Sequence, residues 1–186
     1  MTLFEHTGKE NTAAAAAIAV KKALELNCSI VVSTHSGASA EAILDKAAEL
    51  GYAGKIVVVR TASNVARKGL NVMADEMKQS LVDRGCTVVT ATHALSAGER
   101  GLSSKMQGVY PLEIMAHTLR MFGHGTKVCV ECAIMALDAG EVEFTQPVVA
   151  VAGTSSGLDT AMVLTPSFSS SLLDTKVHEL LCKPTL

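Results

Sequence analysis

A chain of 186 residues is long enough for one domain with a substantial buried core. Hydrophobic residues make up 48% and charged ones 18%, with 3% aromatics, no Trp and a formal net charge of -2, which argues against a nucleic-acid-binding surface. No run of about 18 apolar residues offers a membrane span, and the opening Met-Thr-Leu-Phe-Glu-His lacks the basic-then-apolar layout of a signal peptide, so the cytoplasm is the expected location.

The predicted elements alternate. Asn11 to Leu26 is rich in Ala, the strongest helix former. The apolar run Ser29-Ile-Val-Val-Ser33 reads as a strand, Ala38 to Gly51 as a helix and Lys55-Ile-Val-Val-Val59 as a second strand. After an irregular stretch, Met73 to Arg84 reads as a helix stopped by Gly85, and Thr87-Val-Val-Thr-Ala91 as a third strand. Leu112 to Met121 and Lys127 to Leu137 read as helices. Pro147 to Ala152 and Thr160 to Leu164 read as the fourth and fifth strands, and Leu172 to Leu181 as a closing helix.

Continuous apolar strands separated by helices predict a parallel sheet covered on both faces. The last two strands are too close for a parallel crossover and should form a hairpin. The expected fold is therefore one α/β domain over residues 1–186: doubly wound, with a mostly parallel five-stranded sheet and an antiparallel last strand. Ligands of such open sheets collect at the carboxyl ends of the strands. Here those ends lead into Thr34–Ala40, Arg60–Leu70, Thr92–Lys105 and Gly153–Asp159.

Thr34-His-Ser-Gly-Ala-Ser-Ala40 stands out among these loops. It joins a buried strand to a helix whose first N–H groups are unpaired and partly positive, an arrangement that favours an anion. Ser36 and Ser39 add hydroxyl donors, and Gly37 lets the backbone approach a ligand. A strand–helix turn capped by Ser36 would use the same residues.

This segment, with the helix and strand that follow it, resembles the start of the C-terminal α/β domain of pyruvate kinase. There a loop of the form Ser/Thr-x-Ser-Gly-x-Ser/Thr-Ala holds a phosphate of a sugar-bisphosphate effector in some members. Over almost its whole length the chain is similar to the stand-alone pyruvate kinase α/β-domain-like proteins of archaea and bacteria. The matching segments are Gly8-Lys-Glu-Asn-Thr12, Leu95-Ser-Ala-Gly-Glu-Arg100, Phe122-Gly-His-Gly-Thr-Lys-Val-Cys-Val-Glu131, Ile134-Met-Ala136 and Gly157-Leu-Asp-Thr-Ala161. The resemblance implies a flavin mononucleotide (FMN) site with its phosphate on Thr34 to Ser39. Pyruvate kinase activity is not implied, because a catalytic barrel alone needs about 250 residues.

The resemblance extends the expected cofactor set to Lys9, Asn11, Thr12, Thr34, His35, Ser36, Gly37, Ala38, Ser39, Thr61, Ser96, Gly98, Glu99, Arg100, Gly123, His124 and Gly125. Most of these also have a structural reading. Asn11 or Thr12 would serve as a helix cap with Lys9 solvated, and Glu99 and Arg100 as an exposed pair. His124, between two glycines, could face a ligand as an acid or base or belong to a structural turn. His93 belongs to the polar stretch after the third strand, and Glu131 reads as a buried hydrogen-bonding partner.

Cys129-Val-Glu-Cys132 has redox-dithiol spacing but falls inside a helix, so buried thiols are the expectation for the five cysteines. No His-x-x-x-His spacing occurs among the six histidines, and no metal is expected. Two functions stay open. One is an FMN-binding protein with flavin-dependent oxidoreductase activity. The other is a non-catalytic sensor of a phosphorylated metabolite. The expected partner is a phosphorylated small molecule, with no nucleic acid or membrane, and the low charge leaves room for a homo-oligomer interface.

Overall fold

A computed structural model describes residues 1–185; Leu186, the last residue of the expected domain, lies outside them. The strands are β1 (Thr2–Phe4), β2 (Ile30–Thr34), β3 (Ile56–Arg60), β4 (Thr87–Thr90), β5 (Val148–Ala152), β6 (Thr160–Thr165) and β7 (Lys176–Pro184). The helices are α1 (Thr12–Leu26), α2 (Ala38–Leu50), α3 (Asp75–Asp83), α4 (Ala97–Met106), α5 (Pro111–Arg120) and α6 (His124–Asp138). One seven-stranded sheet runs in the order β1-β7-β6-β5-β2-β3-β4. Strand β6 is antiparallel to both of its neighbours, and the remaining pairings are parallel.

The doubly wound, mostly parallel fold and its late hairpin are thus as the sequence predicts. Two further strands extend the sheet beyond the expected five. The expected closing helix over Leu172–Leu181 is instead a short 3-10 turn (Ser169–Asp174) followed by β7, which takes the hydrogen-bonding edge of β6. The stretch Thr92–Lys105, expected as loop, contains most of α4.

Alternation along the central strands divides the core. Ile30 and Val32 of β2, Ile56 and Val58 of β3, and Val149 and Val151 of β5 face one layer with α1 and α2. That layer is lined by small residues, Ala15, Ala16, Ala19, Ala23, Ala40 and Ala47, which bring the helices close to the sheet. The intervening Val31, Val57 and Ala150 face α6 on the other side. Helix α6 is buried from Gly125 to Leu137 apart from Val128, as befits a helix enclosed on nearly all sides.

The winding also sets direction. Helices α1, α2 and α6 all begin at the carboxyl edge of the sheet, where β2, β3 and β5 end. Gly125 allows α6 to sit against β6: a Cβ there would lie 2.2 Å from Thr160 Oγ1. Its φ is not among the positive values, so its glycine is required by proximity, whereas Gly123 takes φ 125. Among the described residues, no helix is long and apolar enough to cross a membrane.

Candidate functional site

A cleft of about 470 Å³ opens where these three helices begin. One wall is the loop after β2. Thr34 Oγ1 accepts the Gly37 N–H at 3.0 Å, which folds the loop into a tight turn before α2. Gly37 takes φ 110, and no side chain caps the helix, so its first N–H groups are left for other acceptors. Thr34, His35, Ser36, Ala38 and Ser39 all line the cleft. Gly37 does not: its missing Cβ would meet Met77 Cγ at 2.5 Å, so this glycine serves the turn and the packing of α3 behind it.

The opposite wall joins the chain's first turn to the β5–β6 loop. Buried Asp159 accepts the Gly8 N–H at 3.2 Å and the Thr154 N–H at 3.0 Å on Oδ2, while Thr160 Oγ1 donates to its Oδ1 at 2.8 Å. Thr12 Oγ1 accepts the Leu158 N–H at 3.0 Å. Gly157, at φ 73, fits only without a side chain, because a Cβ would lie 2.5 Å from Lys9 Cα. These bonds place Lys9, Thr12, Ser155 and Ser156 along the cleft. Asn11 turns away and donates to the His6 carbonyl at 2.8 Å.

The floor comes from the strand ends and α6. Arg60, the last residue of β3, lies in register between Thr34 on β2 and Thr90 on β4. Its Nε donates to Thr90 Oγ1 at 2.6 Å, while its buried Nη1 has no hydrogen-bond partner. Beside it, Thr61 Oγ1 contacts His35 Nδ1 and joins the loops after β2 and β3. Val59, Val128, Cys132 and Met135 add an apolar stretch.

His93 and His124 also line the cleft. His93 Nδ1 lies 3.1 Å from Glu131 Oε2, and the Leu95 N–H donates to Glu131 Oε1 at 3.0 Å. Lys127 Nζ, one turn earlier on α6, donates to the same carboxylate. Burial would raise the Glu131 pKa, but the bonds from His93 and Lys127 outweigh it and hold the carboxyl at about 2. His124, the first residue of α6, is pushed below the ordinary imidazole range by burial and by the Arg120 and Lys127 charges, which keeps it neutral at neutral pH.

Nine of the residues expected from sequence therefore share one cleft: Lys9, Thr12, Thr34, His35, Ser36, Ala38, Ser39, Thr61 and His124. Ser96, Gly98, Glu99 and Arg100 lie outside its lining, and Gly123 and Gly125 shape the start of α6 without facing the cleft. Glu99 accepts the Glu113 N–H at 3.1 Å and so ties α4 to α5. Arg60 was not among the expected site residues, and neither was the contact of His93 with Glu131.

The family follows from the chain itself. Residues 12–164 match the family described as pyruvate kinase, alpha/beta domain. The chain belongs to that family. Its matched span runs from the start of α1 to β6, so the pyruvate kinase alpha/beta domain accounts for every wall of the cleft, apart from Lys9.

The Cys129–Cys132 pair consists of free, buried thiols within α6. Cys129 is fully buried, with Sγ 3.4 Å from the Ala150 carbonyl oxygen, and burial pushes its pKa well up. Cys132 reaches the cleft, but burial pushes its thiol up to about 12, and that of Cys182 to about 11. Because the thiolate is the nucleophile, native protein at pH 8 should react slowly with iodoacetamide, foremost at half-buried Cys28. Unfolding should release all five thiols, a contrast that intact-mass measurement records.

Proposed function

We propose that the cleft binds a phosphorylated ligand, FMN, with its phosphate at Thr34–Ser39, and that the chain is a cytoplasmic flavoprotein with oxidoreductase chemistry. The observation that carries the anion-binding half is Arg60: a buried guanidinium nitrogen without a partner lines a cleft that also holds the uncapped start of α2. A buried unpaired charge is costly, and an incoming phosphate would satisfy it. Ser36 and Ser39 add hydroxyls suited to the same group. The apolar stretch of Val59, Val128, Cys132 and Met135 suits a flat ring system, and the cleft volume is within the range of ordinary ligand sites.

Lys9, on the far wall, would face the ligand's other polar end. A bound flavin supplies one- and two-electron redox chemistry. The chain's own part is to hold the phosphate, exclude water from the apolar floor and present neutral His124 as a hydrogen-bonding group. Buried free thiols suit a reducing compartment such as the cytoplasm.

The non-catalytic sensor is the second reading, and the composition of the lining favours it: among the described residues, no Phe or Tyr borders the cleft to stack on a flavin. Absorbance of freshly purified protein, with mass spectrometry of what heat releases, separates the two. Flavin bands at near-stoichiometric level are expected, and they should be lost in Ser36→Ala/Ser39→Ala. A colourless protein that releases a different phosphorylated metabolite would replace FMN with that metabolite and favour the sensor.

A further inference from the structure

Glu131 is 1% exposed, and Lys127 beside it 5%. Both are on α6, the helix enclosed by the sheet. A buried ion pair of this kind gives little stability over apolar residues of similar volume. Its arrangement towards the cleft is more informative. The carboxylate has three donors, and one of them is an imidazole that is itself half exposed, with a side-chain exposure of 49%.

An ionised carboxylate can only accept hydrogen bonds, so Nδ1 of neutral His93 must carry the proton. Its Nε2 is then left as a lone-pair base. Fixing one ring nitrogen on a buried carboxylate to aim the other is how a histidine base is set in one tautomer. Lys127 balances the standing charge of Glu131, and Lys9, His35, Arg60, His124 and Cys132 are the other cationic or titratable groups that line the cleft. Among the described residues, no Asp or Glu lines the cleft to compete for the ligand's protons.

We propose that His93 is a catalytic proton-transfer residue, acting through Nε2 on an O–H or N–H at the non-phosphate end of the bound ligand, with Glu131 as its positioning residue. In the forward step the ligand's O–H or N–H bond breaks, Nε2–H forms and the ligand keeps the electron pair. The resulting imidazolium faces the Glu131 carboxylate, and return of the proton restores both groups. The step needs no further reactant. It rests on the cleft being the phosphorylated-ligand site.

The test uses the full chain labelled with 15N-histidine, with FMN as the probe. Long-range 1H–15N correlation of ligand-free protein at pH 8 should show His93 in the Nδ1–H tautomer, and Glu131→Gln should return it towards the ordinary mixture. Saturating FMN should move the His93 Nε2 resonance. Calorimetry in buffers of different ionisation enthalpy then gives the protons exchanged on binding. That count should differ between the wild type and His93→Gln, with a loss of affinity of about fivefold in the variant.

A purely structural His93 would leave the proton count as it was. FMN binding with an unmoved Nε2 resonance and an unchanged count in His93→Gln overturns the assignment of His93 and spares the binding site. Failure of FMN to perturb any histidine, with no heat of binding in calorimetry, overturns the FMN reading and this proposal with it.

Discussion

Lys127→Met should destabilise the protein by about 3–5 kcal/mol, the usual cost of breaking a buried ion pair from one side. In a domain of this size that lowers Tm by about 6–20 °C. The reason is the carboxylate left behind. Glu131 is almost wholly enclosed, and without Lys127 its charge rests on His93 and the Leu95 N–H alone. Lys127→Met/Glu131→Leu should recover part of the loss, because the pair then disappears together. It should not recover all of it, since the buried Leu95 N–H loses its acceptor.

The pH dependence follows from the same group. Glu131 has a folded pKa of about 2 against an ordinary value of 4.5, a depressed carboxyl. Its contribution is therefore fully present above about pH 4.5 and is lost as pH falls through 4.5 towards 2. A shift of that size corresponds to about 3 kcal/mol. The gap between wild type and Lys127→Met should accordingly narrow on acidification over that interval, which denaturant titrations at pH 7 and pH 3 would measure. An equal gap at both values would remove Glu131 as the source of the destabilisation.

Much of the fold was legible because local pattern and tertiary environment agree. Ile30–Val32, Ile56–Val59 and Val148–Ala152 are short, apolar and rich in β-branched residues, and the structure buries them on both faces. The loop from Thr34 to Ser39 was legible for the same reason: its hydroxyls and glycine are contiguous, and the strand and helix flanking it fix where it must lie.

Strand β7 was hidden because its Val177, Leu180 and Leu181, read together with Leu172 and Leu173 of the turn before it, have a spacing that looks helical. The structure leaves Lys176 to Glu179 exposed, and its pairing with β6 carries register shifts at Ala161/Met162 and Val163/Leu164. Those irregularities erase the two-residue alternation that would announce a strand. Helix α4 was hidden by Gly98 and Gly101, which weaken a helix in any propensity reading. The contact between His93 and Glu131 spans 38 positions, and Arg60 meets Thr90 across 30. A lone Arg at the end of an apolar run gives no local sign that it will be buried. Only the alignment of β2, β3 and β4 brings the three polar strand ends together.

Arg60→Met should separate stability from binding. In the ligand-free protein the substitution removes a buried guanidinium nitrogen that has no partner, at the cost of one bond from Nε to Thr90. The released desolvation cost and the lost bond are each of order 1–3 kcal/mol, so stability should stay within about 1 kcal/mol of the wild type or rise. Affinity for FMN should fall by about 10–100-fold, because a charge-assisted bond to a phosphate is worth about 1.5–3 kcal/mol. Arg60→Lys should lie between the two: it keeps the charge but loses the planar fork that can hold Thr90 and a phosphate oxygen together. Fluorescence titration with FMN, beside urea unfolding of the ligand-free variants, measures both quantities. A residue held for packing would lose stability and leave affinity alone. One held for an anion would lose affinity and leave stability nearly unchanged, the trade expected where a binding site keeps an unpaired group in readiness. Unchanged affinity in Arg60→Met would move the phosphate away from β3 and leave the start of α2 with Ser36 and Ser39 as its only remaining cradle.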